Sequence, residues 1–232
     1  MIKVFTYAVM LNLALNTFAQ QKKVLFSDAV SQHLHFYNQI CQEATFFEDF
    51  ERVNRLFDSL VSNHLKGTYF EDLKIKQFSG GYFNSEKLDK PILLNTTSSW
   101  FVKTDEEIEA INNLAHEFDG KVSIVMLFWD TRKDLKEIAK KYHQSVIIAY
   151  VDETLNLENS IINTYKHSFG LPTSFYITSE KEIINIDRGI PSKLSLEPDP
   201  ELYALNYGIF SQKLVQLLLK DNLSKSVLTD TD

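Results

Sequence analysis

Cysteine is almost missing from this chain: Cys41 stands alone among 232 residues. A single cysteine excludes an internal disulfide framework and leaves Cys41 either a small buried hydrophobe or half of a bridge to another chain. Glycine and proline are both absent from residues 24 to 66. A basic excess is missing as well. Lysine and arginine number 24 against 31 acidic residues, a formal net charge of -7. With no dense cluster of lysine and arginine either, non-specific binding to nucleic acid or to an anionic membrane surface is not expected. The chain has no Gly-x-Ser-x-Gly elbow, no Gly-x-Gly-x-x-Gly, no phosphate loop and no zinc-ligand spacing. No cofactor and no metal are therefore implied. His33, His35 and Cys41 are not spaced four apart from one another, and the other histidines are scattered.

What is present begins with a leader. Lys3 supplies a positive start, Val4 to Ala14 an apolar run, and Thr17-Phe18-Ala19 the small residues of a cleavage site. The run is interrupted by Asn12 and Asn16 and is too short for a hydrocarbon core of ~30 Å. Residues 1–19 are expected to be a cleaved signal peptide. That makes the chain exported, in the periplasm, with no stable membrane span after cleavage. No cysteine follows the signal, so no lipid anchor is indicated.

Residues 20–66 read as a helical extension. Val30, Leu34, Tyr37, Ile40, Ala44, Phe47, Phe50, Val53, Phe57 and Leu60 recur at steps of three and four. One helix of that length would reach ~60 Å, so a break is expected near Glu43 to Asp49. A hairpin follows, turning at Ser79-Gly80-Gly81, and then strands and helices alternate. Strands are expected at Ile92 to Leu94, Val122 to Trp129 and Val146 to Val151. Helices are expected at Asp105 to Phe118, Asp134 to Tyr142 and Glu158 to Ser168. A second hairpin spans Thr173 to Arg188. After a loop from Pro191 to Pro200, Asp199-Pro200-Glu201 reads as the start of a last helix. Residues 67–220 form the main domain and 221–232 a polar, frayed tail. The pattern predicts an α/β fold with a central mixed sheet flanked by helices.

Two stretches carry a resemblance. Ile92-Leu93-Leu94-Asn95-Thr96-Thr97-Ser98-Ser99-Trp100 precedes a helix bearing Glu107 and Asn112, and Phe169-Gly170-Leu171-Pro172-Thr173 precedes a strand. Together they resemble the TlpA-like branch of the thioredoxin fold, the exported bacterial disulfide reductases, over about Gly67 to Gly189. The N-terminal helices and the last helix lie outside it. The resemblance implies a thioredoxin-like fold in which Trp100 precedes the Cys-x-x-Cys positions and Pro172 is cis, facing them.

At those four positions this chain has Phe101, Val102, Lys103 and Thr104. Disulfide exchange needs a thiolate and a resolving thiol, and none of these side chains supplies either. Thr104-Asp105-Glu106-Glu107 instead reads as a capping box that occupies the helix end with carboxylates. The expectation is a redox-inactive thioredoxin-like protein of the cell envelope. It would hold a protein or extended peptide against Trp100, Phe101, Val102, Lys103, Thr104, Leu171, Pro172 and Thr173, with no catalytic residue and no metal ligand. Two alternatives stand beside it. One is an enzyme of non-standard chemistry, working through Cys41 or by hydrolysis. The other is a structural protein that dimerises through its aromatic-rich helices.

Overall fold

The long apolar runs dictate the architecture. A strand with bulky apolar side chains on both faces needs cover on both faces, and the strand Ser123–Phe128 is buried from Ile124 to Phe128. The computed structural model describes residues 23–101, 104–155, 161, 164–166, 169–189 and 199–229. The leader, most of the expected helix Glu158 to Ser168, the loop from Pro191 to Pro198, Val102 and Lys103 lie outside the described residues.

Two helices open the described chain, α1 (Phe26–Phe46) and α2 (Phe50–Leu60), the second continuing into a wider turn at Val61–Leu65. The break falls inside the expected window. Glu48 takes a left-handed conformation (φ 56°), and Asp49 caps α2 by accepting from the Arg52 amide at 2.9 Å. Strands β1 (Lys74–Gln77) and β2 (Tyr82–Asn84) form the first hairpin. Gly80 and Gly81 supply its two positive φ angles, 106° and 76°, at a tight reversal that other residues adopt only with strain. The order then runs β3 (Ile92–Thr97), α3 (Asp105–Glu117), β4 (Ser123–Phe128), β5 (Val146–Tyr150), β6 (Thr173–Ile177), β7 (Ile183–Arg188) and α4 (Pro200–Thr229).

The seven strands form one mixed sheet in the order β2-β1-β5-β4-β3-β6-β7. β3, β4 and β5 are parallel, while β6 and β7 at one side and β1 and β2 at the other run antiparallel. Alternation along the strands divides the core in two. Ile92, Leu94, Val125, Leu127, Phe175 and Ile177 pack under α1 and α2 with Phe26, Val30, Tyr37, Phe57 and Leu60. Leu93, Ile124, Met126, Phe128 and Tyr176 face α3 and α4. The described part of the extension, residues 23–66, is thus a covering layer of the sheet. It is fastened by the Phe26 amide donating to the Tyr69 carbonyl (2.8 Å) and by Tyr69 bridging to Glu182. Aromatic rings fill this side: Phe175 meets the edges of Phe26 and Tyr165 at centroid distances of 5.5 and 5.7 Å.

Three expectations need correction. β3 runs to Thr97, past the expected end at Leu94, because two of its polar side chains find partners across the sheet: Asn95 Nδ2 donates to Ser174 Oγ (2.8 Å) and Thr96 Oγ1 to the Thr173 carbonyl (3.3 Å). Asp134 to Tyr142 is not an α-helix but a series of turns ending in a short 3-10 stretch, Ile138–Lys141. Only Leu135 and Tyr142 are buried there, too few for a helical stripe. Asn112 of α3 captures the exit, donating to the Lys141 carbonyl (2.8 Å) and accepting from the His143 amide (2.7 Å). Finally, the chain beyond Lys220 is helical to Thr229 rather than a frayed tail. Asp221 is buried there and holds the β6–β7 turn.

Candidate functional site

The ends of the central strands gather the site. Because Thr96 pairs with Thr173 in antiparallel register, the chain leaving β3 and the chain entering β6 meet at one end of the sheet. Ser98 to Phe101, Thr104 and Leu171-Pro172 therefore belong to the same end of the sheet, and the Leu171–Pro172 peptide bond is cis. The parallel neighbour β4 delivers Trp129 and Asp130 to that same end.

Asp130 fixes the loop. Its Oδ2 accepts from Ser98 Oγ (3.0 Å) and from the Ser99 amide (2.7 Å), and its Oδ1 from Ser99 Oγ (2.5 Å). Hydrogen bonds to a charged acceptor are the stronger class, so the two residues before Trp100 are held on three lines. The Phe101 amide then donates back to the Ser98 carbonyl at 3.1 Å, closing a turn. The result is a presented aromatic: Trp100 is 69% exposed and stands edge-to-face with the half-buried Phe101, centroids 6.4 Å apart.

Behind the loop, α3 starts as a capped helix. Thr104 Oγ1 accepts from the Glu107 amide at 3.2 Å. Its first turn carries Asp105, Glu106 and Glu107, and the three diverge. Asp105 pairs with Lys141 (2.9 Å) at the surface. Glu106 Oε1 accepts from the Asp199 amide (2.9 Å), which ties the start of α3 to the start of α4, and this bond holds its carboxyl below the ordinary value of 4.5. Glu107 turns inward and is buried beside Tyr142, whose phenol is pushed up by burial and then by that neighbouring charge. The helix end is filled by the chain's own groups.

On the opposite side of the site, Leu171 is half-buried and Pro172 buried. Thr173, counted among the contact residues, is fully buried. Its hydroxyl donates to the Gly170 carbonyl at 3.0 Å, so it shapes the turn and offers no surface. Of the expected set, Trp100, Phe101, Thr104, Leu171 and Pro172 are brought to one end of the sheet; Val102 and Lys103 lie outside the described residues. Sequence reading missed Ser98, Ser99 and Asp130. The available signal was a lone carboxylate directly after an apolar strand, where the chain leaves the sheet. Cys41 sits half-buried on α1, packed against the core beneath α1 and α2. Among the described residues no group of three or more His, Cys, Asp or Glu could hold a metal, and no helix is long and apolar enough to cross a membrane.

No protein-family model matches the sequence, and no curated protein matches it. Solved structures are similar to it. A protein described as the thiol:disulfide interchange protein DsbE, from Chlorobium tepidum, aligns with a TM-score of 0.50 at 17% identity, over 66% of this chain and 97% of that one. The thioredoxin domain of a thiol-disulfide oxidoreductase from Bacteroides vulgatus gives 0.46 at 14% identity, over 63% of this chain and 96% of that domain. Likeness at this identity concerns architecture, and the fold is thioredoxin-like: a mixed seven-stranded sheet with helices on both faces, two N-terminal helices and a C-terminal helix.

Proposed function

We propose that this is a redox-inactive thioredoxin-like protein of the cell envelope that binds an extended peptide in the groove between Trp100 and Leu171-Pro172. The carrying observation is the exposed Trp100 indole, held out by the Asp130 anchor at the sheet end where Leu171-Pro172 also lies. Large amphipathic rings with few rotatable bonds make good anchors for a bound chain. A peptide laid beside the Leu171 backbone, ahead of β6, would gain main-chain hydrogen bonds as well. Redox inactivity is supported by the residue inventory. The one thiol lies on α1, and the positions after Trp100 carry no second sulfur. The occupied start of α3 points the same way, since a thiolate there would meet three carboxylates.

The test has two arms on the purified mature chain. In a disulfide-reduction assay, wild type and Cys41→Ser should give the same background rate; turnover that disappears with Cys41 would overturn the redox reading. In calorimetric titration against a library of extended peptides, Trp100→Ala should weaken every binder by about ten-fold or more, as loss of an aromatic anchor does. Unchanged affinities would overturn the groove.

A second reading, self-association, is favoured by the tip of the helical pair, where Phe46, Phe47 and Phe50 are 82%, 68% and 64% exposed. Sedimentation of wild type beside a triple Phe→Ser variant at these positions tests it. A monomer in both ends that reading.

A further inference from the structure

A sheet face covered by helices is expected to be apolar, and one row of this sheet is not. Asn95, Ser174 and Asp187 stand directly opposite one another on β3, β6 and β7. They share the face on which Leu93 and Tyr176 meet α3 and α4. Asn95 Nδ2 donates to Ser174 Oγ at 2.8 Å, but its buried Oδ1 has no partner among the described residues. Asp187 Oδ1 accepts from Asn185 Nδ2 (3.0 Å) and from Lys213 Nζ of α4, while its buried Oδ2 has none. The buried Tyr176 hydroxyl lies beside Asp187 without meeting hydrogen-bond geometry.

α4 adds to the imbalance. Asn206 is 1% exposed, and its Oδ1 is again unpartnered among the described residues. Asn206, Phe210 and Lys213 follow one another at steps of four and three, so one stripe of the helix turns all of them toward the row. Row and stripe share a cavity of about 360 Å³, with Ser174, Tyr176, Asp187, Asn206 and Phe210 in its wall. That is the size of a small-molecule site. β7 is the last strand of the sheet, and the cavity reaches past its edge to Asn54 and Asp58 of α2. Buried acceptors without donors are unfavourable, and here two of them and a phenol line one space.

The charges select a neutral occupant. Asp187 is matched by Lys213. Arg188, on the opposite face of β7, donates to the Tyr37 hydroxyl at 2.9 Å and lies over the Phe57 ring. Asp58, at the α2 side, is exposed to water. What the cavity lacks is hydrogen-bond donors, and it lacks them on two walls, the sheet and α4.

We propose that this cavity binds a neutral monosaccharide in its pyranose form. Hydroxyls set around the ring donate to Asn206 Oδ1 on the helix and to Asp187 Oδ2 on the sheet, and one shares a hydrogen bond with the Tyr176 hydroxyl. Each hydroxyl gives one hydrogen and still accepts, so the same ring serves carboxylate, amide and phenol. Its C–H face packs on Phe210, because an aromatic face is the negative part of the ring. The site does not rest on the peptide groove.

The experiment is calorimetric titration of the mature chain with a panel of neutral hexoses and pentoses, followed by the single-deoxy forms of the tightest member. Saturable binding is expected, with at least one deoxy form weaker by about ten-fold or more, because it leaves a buried acceptor unmatched. Asn206→Leu should lose about the same factor while melting no lower than wild type, since it removes an unpaired buried acceptor. Trp100→Ala should bind the sugar as wild type does, and a loss there would place the sugar in the groove instead. The inference is overturned if no panel member saturates the chain at millimolar concentration, if every deoxy form or Asn206→Leu binds equally well, or if primary amines titrate in place of sugars.

Discussion

Asp221, more than forty residues along the chain from Ser179, accepts from both the amide and the hydroxyl of Ser179 through a single oxygen, each at 2.7 Å. Its other oxygen meets Lys225 at 3.0 Å. The last third of α4 is thereby locked to the turn between β6 and β7. Asp221→Ala leaves a half-buried amide without its acceptor, and the expected cost is about 1.5 to 3 kcal/mol for bonds to a charged group. Urea unfolding followed by circular dichroism measures it; a change within error of zero would show that the lock is dispensable.

The tether from Glu106 to the Asp199 amide predicts an acid limb. A carboxyl whose folded value lies below 4.5 binds its proton less readily folded than unfolded, so its contribution is present above that value and is lost as pH falls through the depressed one. Glu106→Gln should flatten the dependence of stability on pH below about 4.5 and leave it nearly parallel to wild type at neutral pH. Thermal melts of both proteins across the acid range decide the matter; superimposable acid limbs would count against the tether.

Asp130 predicts a local effect. Asp130→Ala removes three hydrogen bonds from Ser98 and Ser99. The Ser99 amide should exchange with solvent at least ten-fold faster, since a fixed loop segment is released to open on its own. Hydrogen exchange resolved by peptide or by residue reads this directly, with β4 as an internal control that should not change.

Phe175 sits under α1 with contacts to Phe26 and Tyr165 and no exposed surface. Phe175→Ala should cost about 3 to 5 kcal/mol, the usual range for a large aromatic removed from a packed core. Chemical denaturation at matched slope provides the number. A cost below about 1 kcal/mol would mean that α1 and α2 do not cover the sheet in solution.

Much of the fold was legible because the signals were redundant. The stripe from Val30 to Leu60, the apolar runs at β4 and β5, and Gly80-Gly81 between two alternating segments each point to one local structure. Failures came where long-range partners decide. Asn95, Thr96 and Thr97 look like the end of a strand until Ser174 and Thr173 on β6 satisfy two of them. Asp134 to Tyr142 has helix-forming residues but too little to bury, and Asn112 dictates its exit. The polar sequence after Lys220 hid a buried carboxylate whose partner lies across the molecule.

At the site, the aromatic loop was readable from Trp100 and the residues after it, since position relative to β3 locates it. Its anchor was not. Nothing local to Asp130 says that it will reach two serines more than thirty positions earlier; only the parallel pairing of β3 with β4 puts them together. Thr173 was misjudged for the complementary reason. Adjacency to Pro172 in the chain said nothing of its burial.

The two tryptophans occupy opposite surroundings, Trp100 in water and Trp129 sealed in the core at 4% exposure. The chain therefore carries its own optical probe of the proposed groove. An aqueous collisional quencher such as iodide can reach the first indole and not the second, so a peptide seated at the loop would protect the quenchable fraction of the emission without any label. The unquenchable remainder then doubles as a built-in gauge of whether the core is still intact.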